Sequence, residues 1–239
     1  MTAVASFDVE TRCWAETLWV IGFDEVGRGP VAGPVTVAAV AATIPFGFEV
    51  RDSKLWSPRH RETAAAATWN LANTKGFSVA VMSTPADVVD NIGISQAISK
   101  AATTALDALR IFGVDTDDAT LIFDGLHPFI TPENAGDRVI AKAKLDQSSA
   151  VVAAASNVAK VDRDAHMMSQ DEPWPGYGFS SHKGYGTKAH LEAIARLGLT
   201  PLHRRTFLTN HQPPDGWKNA SPSKPDDSET GSAPKQTTN

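Results

Sequence analysis

At 239 residues, with 42% hydrophobic and 21% charged positions and a net charge of −5, the chain has the make-up of an ordinary globular protein with one core. The single cysteine, Cys13, excludes an internal disulfide framework and a cysteine-based zinc site, and the longest apolar run, residues 31–46, is broken by Gly33, Pro34, Thr36 and Pro45 and falls short of the roughly 20 residues of a membrane span. The acidic balance excludes a bulk positive field, so any binding of nucleic acid must rest on a local basic patch.

Residues 1–14 mix acidic and apolar side chains without the pattern of a signal peptide and read as an N-terminal arm; with the lone cysteine they suit a cytoplasmic protein. Residues 17–23 read as a strand and 31–43 as the next, with 24–30 as the loop between them. Ser57 and Pro58 have the N-cap and first-turn chemistry of a helix over 59–73. A strand is expected at 77–82, and the spacing of Ile94, Ile98, Ala101, Ala105, Leu109 and Phe112 predicts a long helix with one buried face. A short strand at 119–123 ends at Asp124-Gly125, another is expected at 138–144, an Ala/Val-rich helix at 148–168, and an amphipathic helix at 187–197 closed by Gly198. Early strands followed by alternation predict an α/β domain with a mixed sheet over 15–210, followed by a disordered tail, 211–239, almost devoid of aliphatic residues.

The run Val20-Ile21-Gly22-Phe23-Asp24-Glu25-Val26-Gly27-Arg28-Gly29-Pro30 sets two adjacent carboxylates and a glycine-flanked arginine at the end of an apolar stretch. Neighbouring carboxylates are tolerated when a cation neutralises them or water screens them, and glycines beside an arginine let backbone amides approach a ligand while the guanidinium meets an anion. Asp124 and Asp146 fall at other element ends, so four carboxylates could converge at strand ends. Such hard oxygen ligands without His or Cys pairs suit Mg²⁺ or Mn²⁺, and two ions about 4 Å apart could activate a water and stabilise the leaving oxygen in attack on phosphorus. Each acid also has a plainer reading: Asp146 as an N-cap, Asp124-Gly125 as a turn, Asp24-Glu25 as a solvated loop.

The chain resembles the ribonuclease HII family. The resemblance is carried, in order, by Gly22 to Pro30, Asp52-Ser53-Lys54, Phe123-Asp124-Gly125, Ala153-Ala154-Ala155-Ser156-Asn157-Val158-Ala159-Lys160-Val161-Asp162-Arg163-Asp164, Tyr177-Gly178-Phe179, His182-Lys183-Gly184-Tyr185-Gly186-Thr187 and His203-Arg204-Arg205-Thr206-Phe207. It implies an RNase H-like mixed sheet with a helical C-terminal extension, and an endonuclease that cuts RNA in RNA–DNA duplexes. Such an enzyme nicks 5′ to a ribonucleotide embedded in DNA, leaves a 3′-hydroxyl and a 5′-phosphate, and serves ribonucleotide excision repair and DNA replication. By position, Asp24, Glu25, Asp124 and Asp146 would be the catalytic and metal-binding acids. Gly27, Arg28 and Gly29 would read the ribose 2′-hydroxyl, and Tyr185 would pack on the neighbouring sugar and favour a deoxyribose there. Lys54, Lys183, Arg204 and Arg205 would hold phosphates.

Beyond the resemblance, Lys and Arg outnumber Asp and Glu between 160 and 205, a modest footprint for a nucleic-acid backbone. Asp162, Arg163 and Asp164 read as structural salt bridges or surface charge, and His182 and His203 as hydrogen-bonded scaffold. The chain departs from the family pattern at Lys54-Leu55-Trp56, where a second lysine is missing, at Leu145 before Asp146, where the family has glycine, and at Gly186 after Tyr185, where the family has a stiffening proline. A monomer is expected, and residues 212–239 contain no convincing sliding-clamp peptide.

Overall fold

The computed structural model describes residues 4–72, 74–130, 138–211 and 218–219. Strands β1 (Trp19–Val26), β2 (Val35–Ala42), β3 (Phe77–Thr84), β4 (Ala119–Asp124) and β5 (Val139–Lys142) form one sheet in the order β3-β2-β1-β4-β5. The first three are antiparallel neighbours, while β4 runs parallel to β1 and β5 parallel to β4. All of β2 is buried, as its Val/Ala composition requires of an inner strand covered on both faces.

Helices α1 (Asp8–Cys13), α2 (Pro58–Leu71) and α5 (Ala150–Ser169) cover one face of the sheet. Helices α3 (Ala86–Ile92) and α4 (Ile94–Ile111) cover the other. The short α6 (Phe179–His182) and α7 (Lys188–Leu197) form the C-terminal extension, where Val31, Ala32, Met167, Tyr177, Phe179, Ile194 and Leu208 make a third apolar cluster. This is the mixed α/β architecture expected from the sequence. No helix among the described residues is long and apolar enough to cross a membrane.

Close approach of α5 to β1 depends on Gly22, because a Cβ there would stand 2.6 Å from the backbone carbon of Val151 and the backbone nitrogen of Val152. The helix answers with small residues: Ala153, Ala154 and Ala155 are wholly buried. Helix α5 is therefore seated tightly over the strand that carries the acids, and its N-terminal end is fixed relative to them.

Several boundaries differ from expectation. Asp24, Glu25 and Val26 lie in β1, not in a loop, because β2 goes on pairing with them (Asp24 with Ala38, Glu25 with Val37, Val26 with Thr36) after pairing to β4 ends at Phe23. Conversely, β2 begins only at Val35: Gly33 sits at φ +87°, and Ala32 pairs instead with His203. Helix α3 was not expected; Gly93 at φ +81° separates it from α4. The stretch read as an arm contains α1, with Glu10 and Cys13 buried in it. Of the tail read as disordered, all but His211, Lys218 and Asn219 lies outside the described residues.

Candidate active site

Side chains alternate across a strand, and in β1 Val20 enters the core under α5 while Ile21 and Phe23 enter the core under α4. Asp24 accordingly belongs to the α5 side and Glu25 to the α4 side. Phe23 is opposite Phe123 in the parallel pair, so Asp24 and Asp124 follow one step later at the same edge, where the carboxyl ends of parallel strands meet. Asp146 stands in the 3₁₀ turn Leu145–Gln147 that leads into α5, and Asp124 Oδ1 accepts the Leu145 N–H at 2.8 Å. The cap of α5 is Ser149, whose hydroxyl accepts the Val152 N–H, so Asp146 is not an N-cap. The four acids named from the sequence are gathered at one sheet edge, straddling it. On the α4 side a cavity of about 420 Å³ is lined by Glu25, Arg28, Ser95, Ser99, Asp124 and His127. A larger one of about 720 Å³ lies beside β5 and is lined by none of the four acids.

The electrostatics are those of crowded anions. Burial, then Glu25, Asp124 and Asp146, raise the Asp24 carboxyl well above its ordinary range, against an opposing hydrogen bond from Ser156. Burial raises Glu25, with Arg28 opposing it from 3.6 Å. Asp146 is raised to about 7 by burial, by Asp124 and by Asp52, while Lys54 opposes. The Lys54 ammonium stands 3.9 Å from Asp146 Oδ2; burial disfavours its charge, but Asp24, Asp52, Asp146 and Asp124 outweigh that and raise it. Among the described residues no three His, Cys, Asp or Glu side chains are closed into a metal cluster. An all-oxygen donor set, with an ammonium already drawn against it, fits a hard divalent cation held by Asp24, Glu25, Asp124 and Asp146.

Next to the acids, Gly27 takes φ +87°, and the chain from Arg28 to Pro34 folds over two wholly buried arginines. Arg163 donates through Nε to Pro34 O at 2.9 Å, through Nη2 to Ala32 O at 3.2 Å and through Nη1 to Lys183 O at 3.0 Å. Arg204 donates through Nε to Gly33 O at 2.9 Å and through Nη1 to Arg28 O at 3.3 Å. A trans peptide points its C=O and N–H in opposite directions, so holding the Arg28 carbonyl inward turns the Gly29 N–H outward. The ring of Tyr185, 46% exposed, stands beside Gly29: a Cβ there would be 4.0 Å from Tyr185 Cε1.

Two expectations from the sequence are corrected here. Arg204 does not hold a phosphate at the surface: it is fully buried and grips the loop that carries Gly29, with its guanidinium 5.1 Å over the Phe207 ring. Among the described residues Arg163 makes no salt bridge, and it is buried rather than surface charge; its partners are backbone carbonyls, while Lys160 and Asp164 pair beside it at 2.7 Å. Arg205 is exposed, but its Nη2 donates to Asn219 Oδ1 at 2.5 Å. Lys183, in the left-handed region at φ +50°, donates through Nζ to Ser180 O.

A family model described as Ribonuclease HII matches residues 21–210. The chain belongs to the ribonuclease HII family. A ribonuclease HII of Thermus thermophilus is 40% identical over 211 residues, covering 88% of this chain and 97% of that one. The ribonuclease HII of Geobacter sulfurreducens is 41% identical over 207 residues, covering 85% and 88%. The ribonuclease H2 structure from Pyrococcus horikoshii OT3 superposes with a TM-score of 0.60 at 22% identity, over 79% of this chain and 93% of that one, a likeness of fold. As a ribonuclease HII family member the chain is a type 2 ribonuclease H, an endonuclease acting on RNA–DNA hybrids.

Sequence reasoning missed two supporting groups of this ribonuclease HII site. Asp52 accepts the Lys54 N–H at 2.9 Å and the Gln147 amide at 3.4 Å, tying the lysine's turn to the turn of Asp146. Ser156, inside α5, stands between Ser53, whose Oγ is 2.9 Å from its own, and Asp24, whose charged form it favours. A polar residue inside an otherwise Ala/Val-rich helix was the available signal for Ser156.

Proposed function

We propose that the chain hydrolyses the phosphodiester 5′ to ribonucleotides in duplexes, including single ribonucleotides embedded in DNA, and leaves a 3′-hydroxyl and a 5′-phosphate. The observation that carries this reading is the adjacency of two things: the four-acid edge of β1 and β4, and an outward Gly29 amide with an exposed tyrosine beside it. The acids are the chemistry, and the amide and ring are a reader for one sugar.

Asp24, Glu25, Asp124 and Asp146 would hold Mg²⁺ or Mn²⁺, and two such ions would supply activation of the attacking water and stabilisation of the leaving oxygen. The chain's own residues do the positioning. Leu145 N–H fixes one oxygen of Asp124 and Glu25 N–H one oxygen of Asp24, leaving the second oxygen of each for the ligand. The amides of Gly27 to Gly29 read the 2′-hydroxyl, which distinguishes RNA from DNA at one nucleotide. Tyr185 packs on the neighbouring sugar. Lys54, exposed beside Asp146, meets a phosphate of the cut strand, with Lys183 and Arg205 farther out.

Incubation of the protein with a duplex carrying one ribonucleotide and Mg²⁺ or Mn²⁺ tests this. A single nick 5′ to the ribonucleotide is expected, and Asp124→Asn abolishes it while duplex binding persists. A folded protein that makes no nick in either metal, or cuts only continuous hybrids, overturns the proposal.

A further inference from the structure

Beneath Tyr185 lies a buried chain of imidazoles that the chemistry above does not use. His190 and His203 are 0% and 3% exposed and approach each other Nε2 to Nε2 at 3.1 Å. The outer ends of the chain decide its protons. The Thr200 backbone N–H, which can only donate, gives a hydrogen bond to His203 Nδ1 at 2.9 Å. The neutral His203 ring therefore carries its proton on Nε2 and donates to His190 Nε2. His190 then carries its proton on Nδ1, facing the Tyr185 carbonyl at 2.8 Å, which can only accept. Burial, the largest cause in both rings, lowers His190 to about 4 and His203 to about 3, so both are neutral at physiological pH.

The direction of the chain is thus fixed from the Thr200 amide to the Tyr185 carbonyl, with no alternative arrangement of protons that satisfies both ends. Tyr185 N–H donates to His182 O at 2.9 Å and its carbonyl also accepts the Thr187 N–H at 2.8 Å, so both peptide planes that set the ring are held. His182 stacks on His190 with ring centroids 4.1 Å apart and keeps it from turning. The next residue, Gly186, adds no ring or Cβ to stiffen the backbone.

We infer that His190, oriented by His203, is a positioning residue that sets Tyr185 beside Gly29 and so governs selection of the sugar next to the ribonucleotide. This rests on the role given to Tyr185 above. Its readout is a ratio: the rate of nicking at one embedded ribonucleotide over the rate of cutting a continuous RNA–DNA hybrid.

Two amide substitutions separate the inference from mere packing. His190→Asn keeps a donor near the Nδ1 position, whereas His190→Gln moves the amide to the Nε2 position, toward His203 and away from the tyrosine carbonyl. Tyr185→Ala is expected to lower the ratio on the order of tenfold, the scale of a lost positioning contact. His190→Gln is expected to lower it comparably and His190→Asn to leave it near the native value, with thermal melts confirming that each variant is folded. Tyr185→Ala combined with His190→Gln is expected to fall no further than Tyr185→Ala alone, because the histidine acts through the ring that is gone. Equal loss in Asn and Gln, a native ratio in Gln, or additive losses in the double variant each overturn the inference. A native ratio in Tyr185→Ala overturns the reading of Tyr185 and the inference with it.

Discussion

Asp146 shows what the gathered acids cost the fold. Its carboxyl is raised to about 7 by burial and by Asp124 and Asp52, so above that pH the native state carries a charge that the unfolded chain carries more comfortably. The folded protein binds the proton more tightly than the unfolded one, and its stability therefore rises as pH falls from about 7 toward the ordinary carboxylate value of 3.8. Asp146→Asn removes the charge. It is expected to abolish cleavage yet stabilise the metal-free protein at pH 8 by on the order of 2 kcal/mol, the lost attraction to Lys54 offsetting part of the gain. The difference narrows by pH 5 and closes only toward the ordinary carboxylate value of 3.8, and melting curves of both proteins at pH 8 and pH 5 check it; a destabilised variant at pH 8 contradicts it. Asp24 and Glu25 draw attention in the sequence because they are adjacent in one motif, whereas Asp124 and Asp146 stand alone at separate element ends. The role of Arg204 was not legible, because its partners are the carbonyls of Arg28 and Gly33, and a backbone carbonyl leaves no mark on residue identity. Its neighbour Arg205 is exposed, and nothing in two adjacent arginines tells which one turns inward.

At the scale of elements, legibility follows length and periodicity. The stripe Ile98, Ala101, Ala105, Leu109 of α4 was plain from spacing and is buried, whereas α1 and α3 are too short for a repeat to show. The end of β1 was placed too early because the pairing that extends it comes from β2, which sequence alone does not align with it. Helix α1 matters beyond its length. Glu10 Oε1 accepts the Ser149 hydroxyl at 2.7 Å and the Val151 N–H at 3.0 Å, so an N-terminal carboxylate caps the helix that follows Asp146. Burial raises this carboxyl, against those same hydrogen bonds. Glu10→Ala leaves a buried hydroxyl and an amide N–H without their acceptor, a loss of about 2 kcal/mol. A drop of about 4–8 °C in Tm follows for a chain of this size, and differential scanning calorimetry measures it. An unchanged Tm contradicts the capping role.

Across the whole molecule, two sets of buried titratable groups bend the stability curve in opposite directions. His190 and His203, held at about 4 and about 3, contribute stability that is present above the ordinary imidazole value of 6.5 and is lost as pH falls toward their folded values. Asp24, Glu25 and Asp146 do the reverse, since their raised carboxyls make the charged form costly above the ordinary carboxylate range. A divalent cation bound among the acids relieves only the second set, and it binds the deprotonated form, so protons compete with it. The Tm gain on adding Mn²⁺ is therefore expected to grow with pH through about 7, where Asp146 titrates, and to shrink toward zero at pH 5. The imidazole pair has no part in that gain, so His190→Asn leaves its pH dependence unchanged while altering the slope of the metal-free curve below pH 6.5. Asp146→Asn, by contrast, loses most of the gain at pH 8, because one anionic ligand is gone. Thermal shift measurements at pH 5, 6, 7 and 8, with and without Mn²⁺, separate these outcomes: a gain independent of pH over that range would mean that the raised carboxyls are not the groups that meet the metal.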